Sequence, residues 1–212
     1  MIIKNIISVI LILVILLVMV YYSNSSKFFV KPNLLIKLEK KENIEKIFSE
    51  NYEYIIIVIN IIKIKPRIYL SVIYGELKLN YDSFDRFDIL RAKMGFDPSL
   101  GFAQMKVSTA KWIEDKYANN VTIFKSKTHE ELMNKLINDS TNILYSAFYI
   151  KLINDKLYEK FGKKLSVKLI ASYYGYGIDR YENEMDSSYS NQIGITAQEF
   201  YDSDKLLDSF PR

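Results

Sequence analysis

There is no cysteine among the 212 residues. That removes disulfides, thiolate zinc sites, thiol nucleophiles and a lipidated N-terminal cysteine together. One histidine, His129, stands just before Glu130 and Glu131; it reads as a surface residue at a helix start. A single histidine with no cysteine leaves Ser-His-Asp and Cys-His catalysis with little to build on. Glycine (7) and proline (4) are scarce, which argues for helices over a loop-rich β protein. Asp82, Asp85 and Asp88 lack the glycine turn and closing glutamate of a calcium loop. No metal site and no cofactor is expected. The chain has no internal repeat.

What is present is apolar and aromatic. Hydrophobic residues make up 49% of the chain, with 17 tyrosines and 12 phenylalanines, enough for a real core. The net charge of +4 comes from scattered lysines. It suits an anionic surface or polymer, and equally ordinary solubility; no nucleic-acid partner is expected. Residues 6–22, "IISVILILVILLVMVYY", are broken only by Ser8. At about 1.5 Å per residue they cover roughly 26 Å, enough for one untilted membrane crossing. Tyr21 and Tyr22 end the run as interfacial aromatics would. No small-x-small cleavage pattern follows, which favours an uncleaved anchor over a removed signal peptide. Lys4 on one side and Lys27 and Lys31 on the other leave orientation nearly balanced.

The expected organisation is an anchor over residues 1–22, a linker over 23–42, one mainly α domain over 43–182, and a polar tail over 183–212 with a weak helix near 197–207. Residues 55–64 are rich in isoleucine and valine; they fit a buried strand or a buried helix, and periodicity does not separate the two. Pro66 suits the first turn of a helix. A charged loop is expected over residues 80–97, a helix from Gly101 to Lys116, and one or two amphipathic helices from His129 to a stop at Gly162. A last apolar helix would close at Gly175 or Gly177.

Glu76 stands out on the helix that follows Pro66, among Tyr69, Ile73, Tyr74 and Leu77. An ionised carboxylate in such surroundings must be paired, or its pKa rises and it becomes a proton donor near neutral pH. It could also be a surface glutamate near Lys78, or one paired with Arg67.

Residues 66–76, "PRIYLSVIYGE", resemble the "P-x-L-(apolar)-A-(apolar)-I-x-x-E" helix of lytic transglycosylases and goose-type lysozymes. "SLGFAQMKVSTA", from Ser99, is similar to that family's "S-x-G-x-x-Q-(apolar)-x-P-x-T-A". Residues 142–162 resemble its "N-I-x-x-G-x-x-Y-L-x-x-L" helix, and "ASYYGYG", from Ala171, its "A-x-Y-N-x-G". The four lie in the family's order across residues 45–180. Leu77, Val107, Ala147 and Tyr174 stand where the family usually has Ser, Pro, Gly and Asn, and the 80–97 segment is longer than its common versions.

The resemblance implies a lysozyme-like helical domain that cleaves the β-1,4 bond between N-acetylmuramic acid and N-acetylglucosamine in peptidoglycan, held outside the cytoplasmic membrane by its anchor. Glu76 would be the single catalytic acid and base. Ser99 would begin the loop facing it. Gly101 would let backbone approach the sugar, Gln104 would bond the substrate or the carboxylate, Met105 would pack beside it, and Tyr173 would aim its hydroxyl at the cleaved bond. A hydrolytic lysozyme would use a second carboxylate, drawn from Asp82, Asp85, Asp88 or Asp97. A lysozyme-like binding or structural protein without activity is the other class of protein the same residues allow.

Overall fold

A computed structural model of the chain describes residues 34–80, 85–117, 124–162, 165–177 and 185–203. The apolar segment 6–22 lies outside the described residues, and no described helix is long and apolar enough to cross a membrane. Two compact units divide between residues 41 and 42. The site and its scaffold lie in the second, which is mainly α.

The first described helix, α1 (Leu34–Ile62), takes in the isoleucine-rich run. The strand alternative for residues 55–64 is thereby set aside. Ile44, Phe48, Ile55 and Ile59 are buried, whereas Ile57 and Ile61 are exposed. Steps of four, seven and four keep one helical face inward, and the turns upstream carry that period through the β-branched run. After Lys63, in the left-handed region, Pro66 opens α2 (Pro66–Asn80). Every residue from Tyr69 to Leu77 in it is buried. A helix covered on all sides is the centre of its domain.

The expected charged loop over 80–97 contains a helix, α3 (Asp85–Lys93). It closes with Gly95 in the left-handed region, the Gly95 amide on the Ala92 carbonyl (3.0 Å) and the Phe96 amide on the Arg91 carbonyl (3.0 Å). That crossed pair is the Schellman ending, and Gly95 was its sequence signal. Two short antiparallel strands follow, β1 (Ser99–Leu100) and β2 (Met105–Lys106). The helix expected from Gly101 therefore starts six residues later, as α4 (Val107–Tyr117). Val107, at the family's proline position, is the first residue of α4, a place where proline is favoured because the amide needs no helical partner.

The next two helices, α5 (His129–Ile137) and α6 (Asp139–Phe161), share one corner residue. The Asn138 amide closes α5 on the Asn134 carbonyl, and its side chain caps α6 at the Thr141 amide. Then come α7 (Val167–Tyr176) and α8 (Gln192–Asp202), capped by Ser166 and Asn191.

The described part of the expected polar tail, residues 185–203, carries α8. α8 packs against both α2 and α7, turning Ile193, Ala197, Phe200 and Tyr201 inward at helical spacing. Glycines set how close it comes. A Cβ on Gly75 would lie 2.7 Å from the Ile193 carbonyl oxygen. One on Gly175 would lie 2.3 Å from Ile193 Cδ1, and one on Gly194 only 2.0 Å from Ser172 Oγ and 2.3 Å from the Lys168 carbonyl oxygen. Arg67 fastens the far end of α8, donating to the Tyr201 carbonyl (2.8 Å) while lying over the Tyr201 ring. Ser172 Oγ, beside Gly194, accepts the Asn191 amide at 3.1 Å.

Gly194→Ala should therefore lower stability by about 1–3 kcal/mol, the usual cost of forcing extra volume into a packed interior, in urea unfolding monitored by far-ultraviolet circular dichroism.

Candidate active site

Glu76 sits one helical turn before the end of α2 and is 4% exposed. Neither of the ordinary partners the sequence offered is on it. Arg67 is engaged with the end of α8, and Lys78 lies over the Tyr74 ring. The two carboxylate oxygens differ instead. Oε1 accepts from Asn80 Nδ2 at 2.6 Å. Oε2 is buried and has no hydrogen-bond partner among the described residues. A Cβ on Gly175 would stand 3.2 Å from Oε2, so the absence of a side chain there leaves that oxygen room. Desolvation pushes the Glu76 carboxyl up to about 7, against the smaller opposing pulls of the Asn80 hydrogen bond and the Lys106 charge.

A cavity of about 20 Å³ adjoins the carboxyl group, close to the space of one water molecule. Ser99, Gln104 and Met105 line it with Glu76. Lys106 and Thr109 from the same stretch, Tyr149 from α6, and Tyr174, Gly175 and Gly177 from α7 and its cap complete the wall. Ser99, Lys106 and Gly175 are half-buried and form the outer part of that wall.

Two expected site residues fall elsewhere. Gly101 serves packing rather than a ligand. It has φ +70°, and a Cβ there would lie 2.1 Å from the Leu136 carbonyl oxygen and 2.5 Å from Asn142 Nδ2. Tyr173 does not face Glu76. Its buried hydroxyl accepts the Asp186 amide (2.6 Å) and donates to the Asp186 carbonyl (3.1 Å), tying the segment before α8 to α7. Its neighbour Tyr174 takes the place at the cavity, and the Tyr174 hydroxyl donates to the Ala103 carbonyl at 2.8 Å. Gln104 lines the cavity, but its amide donates to the Gly101 carbonyl (3.1 Å) rather than to the carboxylate. Its backbone is held at φ +51°, uncommon for a residue other than glycine.

Asn142 holds that strained turn. Its Oδ1 accepts the Ala103 amide (2.7 Å), and its Nδ2 donates to the Leu100 (2.9 Å) and Leu136 (2.7 Å) carbonyls. One fully buried side chain thus joins the β1–β2 turn to α5 and α6. Two of the carboxylates considered as a second acid have other work. Asp97 accepts from the Ser108 amide and hydroxyl at the start of α4, and Asp88 pairs with Arg91. Asp82 and the Asp85 side chain lie outside the described residues. His129 bonds the Ala92 carbonyl through Nε2 (3.1 Å) at the exposed start of α5.

Glu114 shows what a buried structural carboxylate looks like in this fold. It accepts from the Ser126 amide (3.0 Å), the Ser126 hydroxyl (2.6 Å) and the Tyr145 hydroxyl, with Lys135 Nζ at 3.7 Å. Its charge is matched; that of Glu76 is not. Sequence reasoning passed over Asn80, Lys106, Tyr149 and Gly175. Asn80 was within reach, since a residue four positions after Glu76 shares its helical face.

The raised Glu76 pKa has a sign. Its protonated form is favoured by folding, so that stability is fully present below the unfolded value near 4.5 and is lost as pH rises towards 7. At about 1.4 kcal/mol per pH unit the loss is on the order of 3 kcal/mol. Glu76→Gln should remove this slope and be the more stable protein at pH 8, in chemical unfolding followed from pH 4.5 to 8. Asn142→Ala should cost about 2–4 kcal/mol in the same measurement, because one amide and two carbonyls lose their partner. No family model, curated protein or solved structure matches this chain, and the site's meaning rests on its geometry.

Proposed function

We propose that this chain is a peptidoglycan-cleaving enzyme of the lysozyme-like, lytic transglycosylase kind, anchored in the cytoplasmic membrane by residues 6–22, with Glu76 as its one catalytic group. The observation that carries the reading is where the cavity wall comes from. Glu76 ends the first of the four segments that resemble the family. Ser99, Gln104, Met105, Lys106 and Thr109 belong to the second, Tyr149 to the third, and Tyr174, Gly175 and Gly177 to the fourth. Segments separated by up to a hundred residues meet at one carboxyl group whose pKa is near neutrality.

Such a group suits both halves of the reaction. Protonated, Glu76 delivers its proton to the glycosidic oxygen as the bond to the sugar breaks. Ionised, it takes a proton from the muramic 6-hydroxyl as that oxygen attacks the anomeric carbon, and a 1,6-anhydro end results. No second carboxylate lines the cavity among the described residues, which favours this internal nucleophile over a two-carboxylate hydrolysis. The cavity admits the reacting oxygen, not a sugar ring. The strand would lie across its outer wall at Ser99, Lys106 and Gly175.

The purified full chain in detergent should clear peptidoglycan in a zymogram, and Glu76→Gln should reduce clearing at least a hundredfold. Clearing by both or by neither would sink the role of Glu76. Anhydro ends in the released muropeptides separate a transglycosylase from a lysozyme, and a reporter fused to the C-terminus tests the external placement of the domain. The small cavity favours one second reading, a lysozyme-like domain that binds glycan without cutting it. Binding by both proteins with no clearing is its signature.

A further inference from the structure

We propose that Asn80 is a positioning residue that decides which oxygen of Glu76 carries the proton: its amide occupies Oε1, so the proton resides on Oε2, on the cavity side. The inference rests on the proposed role of Glu76 for its consequence in catalysis, but not for its physical content. The Asn80 side-chain amide points its Nδ2 donor at Oε1, at 2.6 Å. An oxygen that accepts a hydrogen bond in that position behaves as the carbonyl of the neutral acid. Oε2 is left as the hydroxyl. It lies 3.2 Å from the Cβ position of Gly175, which lines the cavity, whereas Asn80 does not.

The surroundings of Oε2 leave the task to Asn80. Among the described residues, the charged or titratable groups that line the cavity with the carboxyl group are Lys106 from β2, Tyr149 from α6 and Tyr174 from α7. Among them, the Tyr174 hydroxyl is committed to the Ala103 carbonyl. From α8 the side chain beside Gly175 is Ile193, which offers neither charge nor proton. Lys106 acts on Glu76 through its charge, a pull that does not tell one oxygen from the other as a hydrogen bond does. Asn80 lies at the exposed end of α2, so replacing it leaves the core intact.

The test uses the full chain in detergent with ¹³C-carboxyl-labelled glutamate. The Glu76 signal is the one that vanishes in Glu76→Gln. Asn80→Ala should raise its titration midpoint by about one unit, because the ionised form loses a charge-assisted hydrogen bond. Asn80→Asp should raise it further, by setting a like charge beside it. In the wild type, the Asn80 side-chain amide protons should stay shifted on both sides of the midpoint, since Oε1 accepts throughout. An unmoved midpoint in Asn80→Ala overturns the proposal. So do Asn80 amide signals that return to ordinary positions on the acid side, which would put the proton on Oε1.

Glycan cleavage is read separately. In Asn80→Ala the alkaline limb of the rate profile should move to higher pH with the midpoint, while the maximal rate falls about tenfold. Absence of cleavage by the wild type, with the midpoint shift observed, would remove the enzymatic reading and leave the positioning of Glu76 standing.

Discussion

The close approach of α2, α7 and α8 is the constraint from which the rest follows. Gly75 and Gly175 let Ile193 and its backbone come within distances that no side chain would allow, and Gly194 does the same from the other side. Gly175 also borders Glu76, whose wall is completed by Tyr149 of α6, Tyr174 of α7 and the stretch from Ser99 to Thr109. A carboxyl group that borders solvent on an isolated helix becomes desolvated only when a second and a third helix close over it. The free energy that favours its protonated form is therefore supplied by packing, since a buried ion left without a matched partner is costly.

Glu76 and Glu114 make the comparison within one molecule. Both are 4% exposed. Glu114 is surrounded by an amide, two hydroxyls and a lysine, and holds α4 to the segment before α5. Among the described residues, Glu76 has one hydrogen-bond donor, on one oxygen. Burial alone does not separate the two acids; the donors around each of them do. The unsatisfied oxygen sits where four distant segments meet, and the turn facing it is strained at Gln104 and clamped by Asn142. Strain held in place by a buried polar clamp is a common property of sites that must be rigid before a ligand arrives.

Much of the scaffold was legible as periodicity and punctuation. Pro66 marked the start of α2, Gly162 the end of α6, and the apolar run near Ala171 became α7. The misses have local causes. The run at 55–64 was ambiguous because isoleucine suits strand and buried helix alike, and only the upstream turns of α1 settle its period. The helix over Asp85–Lys93 hid behind its charge, although Gly95 announced its end. The helix expected from Gly101 begins only at Val107, because the turn before it is held by Asn142, some forty residues away in sequence, and its apolar residues carry no signal of that clamp. Gly101 was assigned to a ligand when its neighbour is the α5 backbone.

Local chemistry in the sequence determined the mainly helical composition, the positions of most caps, the isolation of Glu76 among apolar neighbours, and the exclusion of thiol chemistry. Those are properties of neighbours along the chain or of composition. Only the tertiary structure decided that Tyr174 rather than Tyr173 faces the site, that Arg67 is occupied elsewhere, that α8 closes the domain, and that the two oxygens of Glu76 are unequal. Each depends on which residues far apart in sequence come within a few ångströms, and hydrogen bonds and desolvation act only over that range.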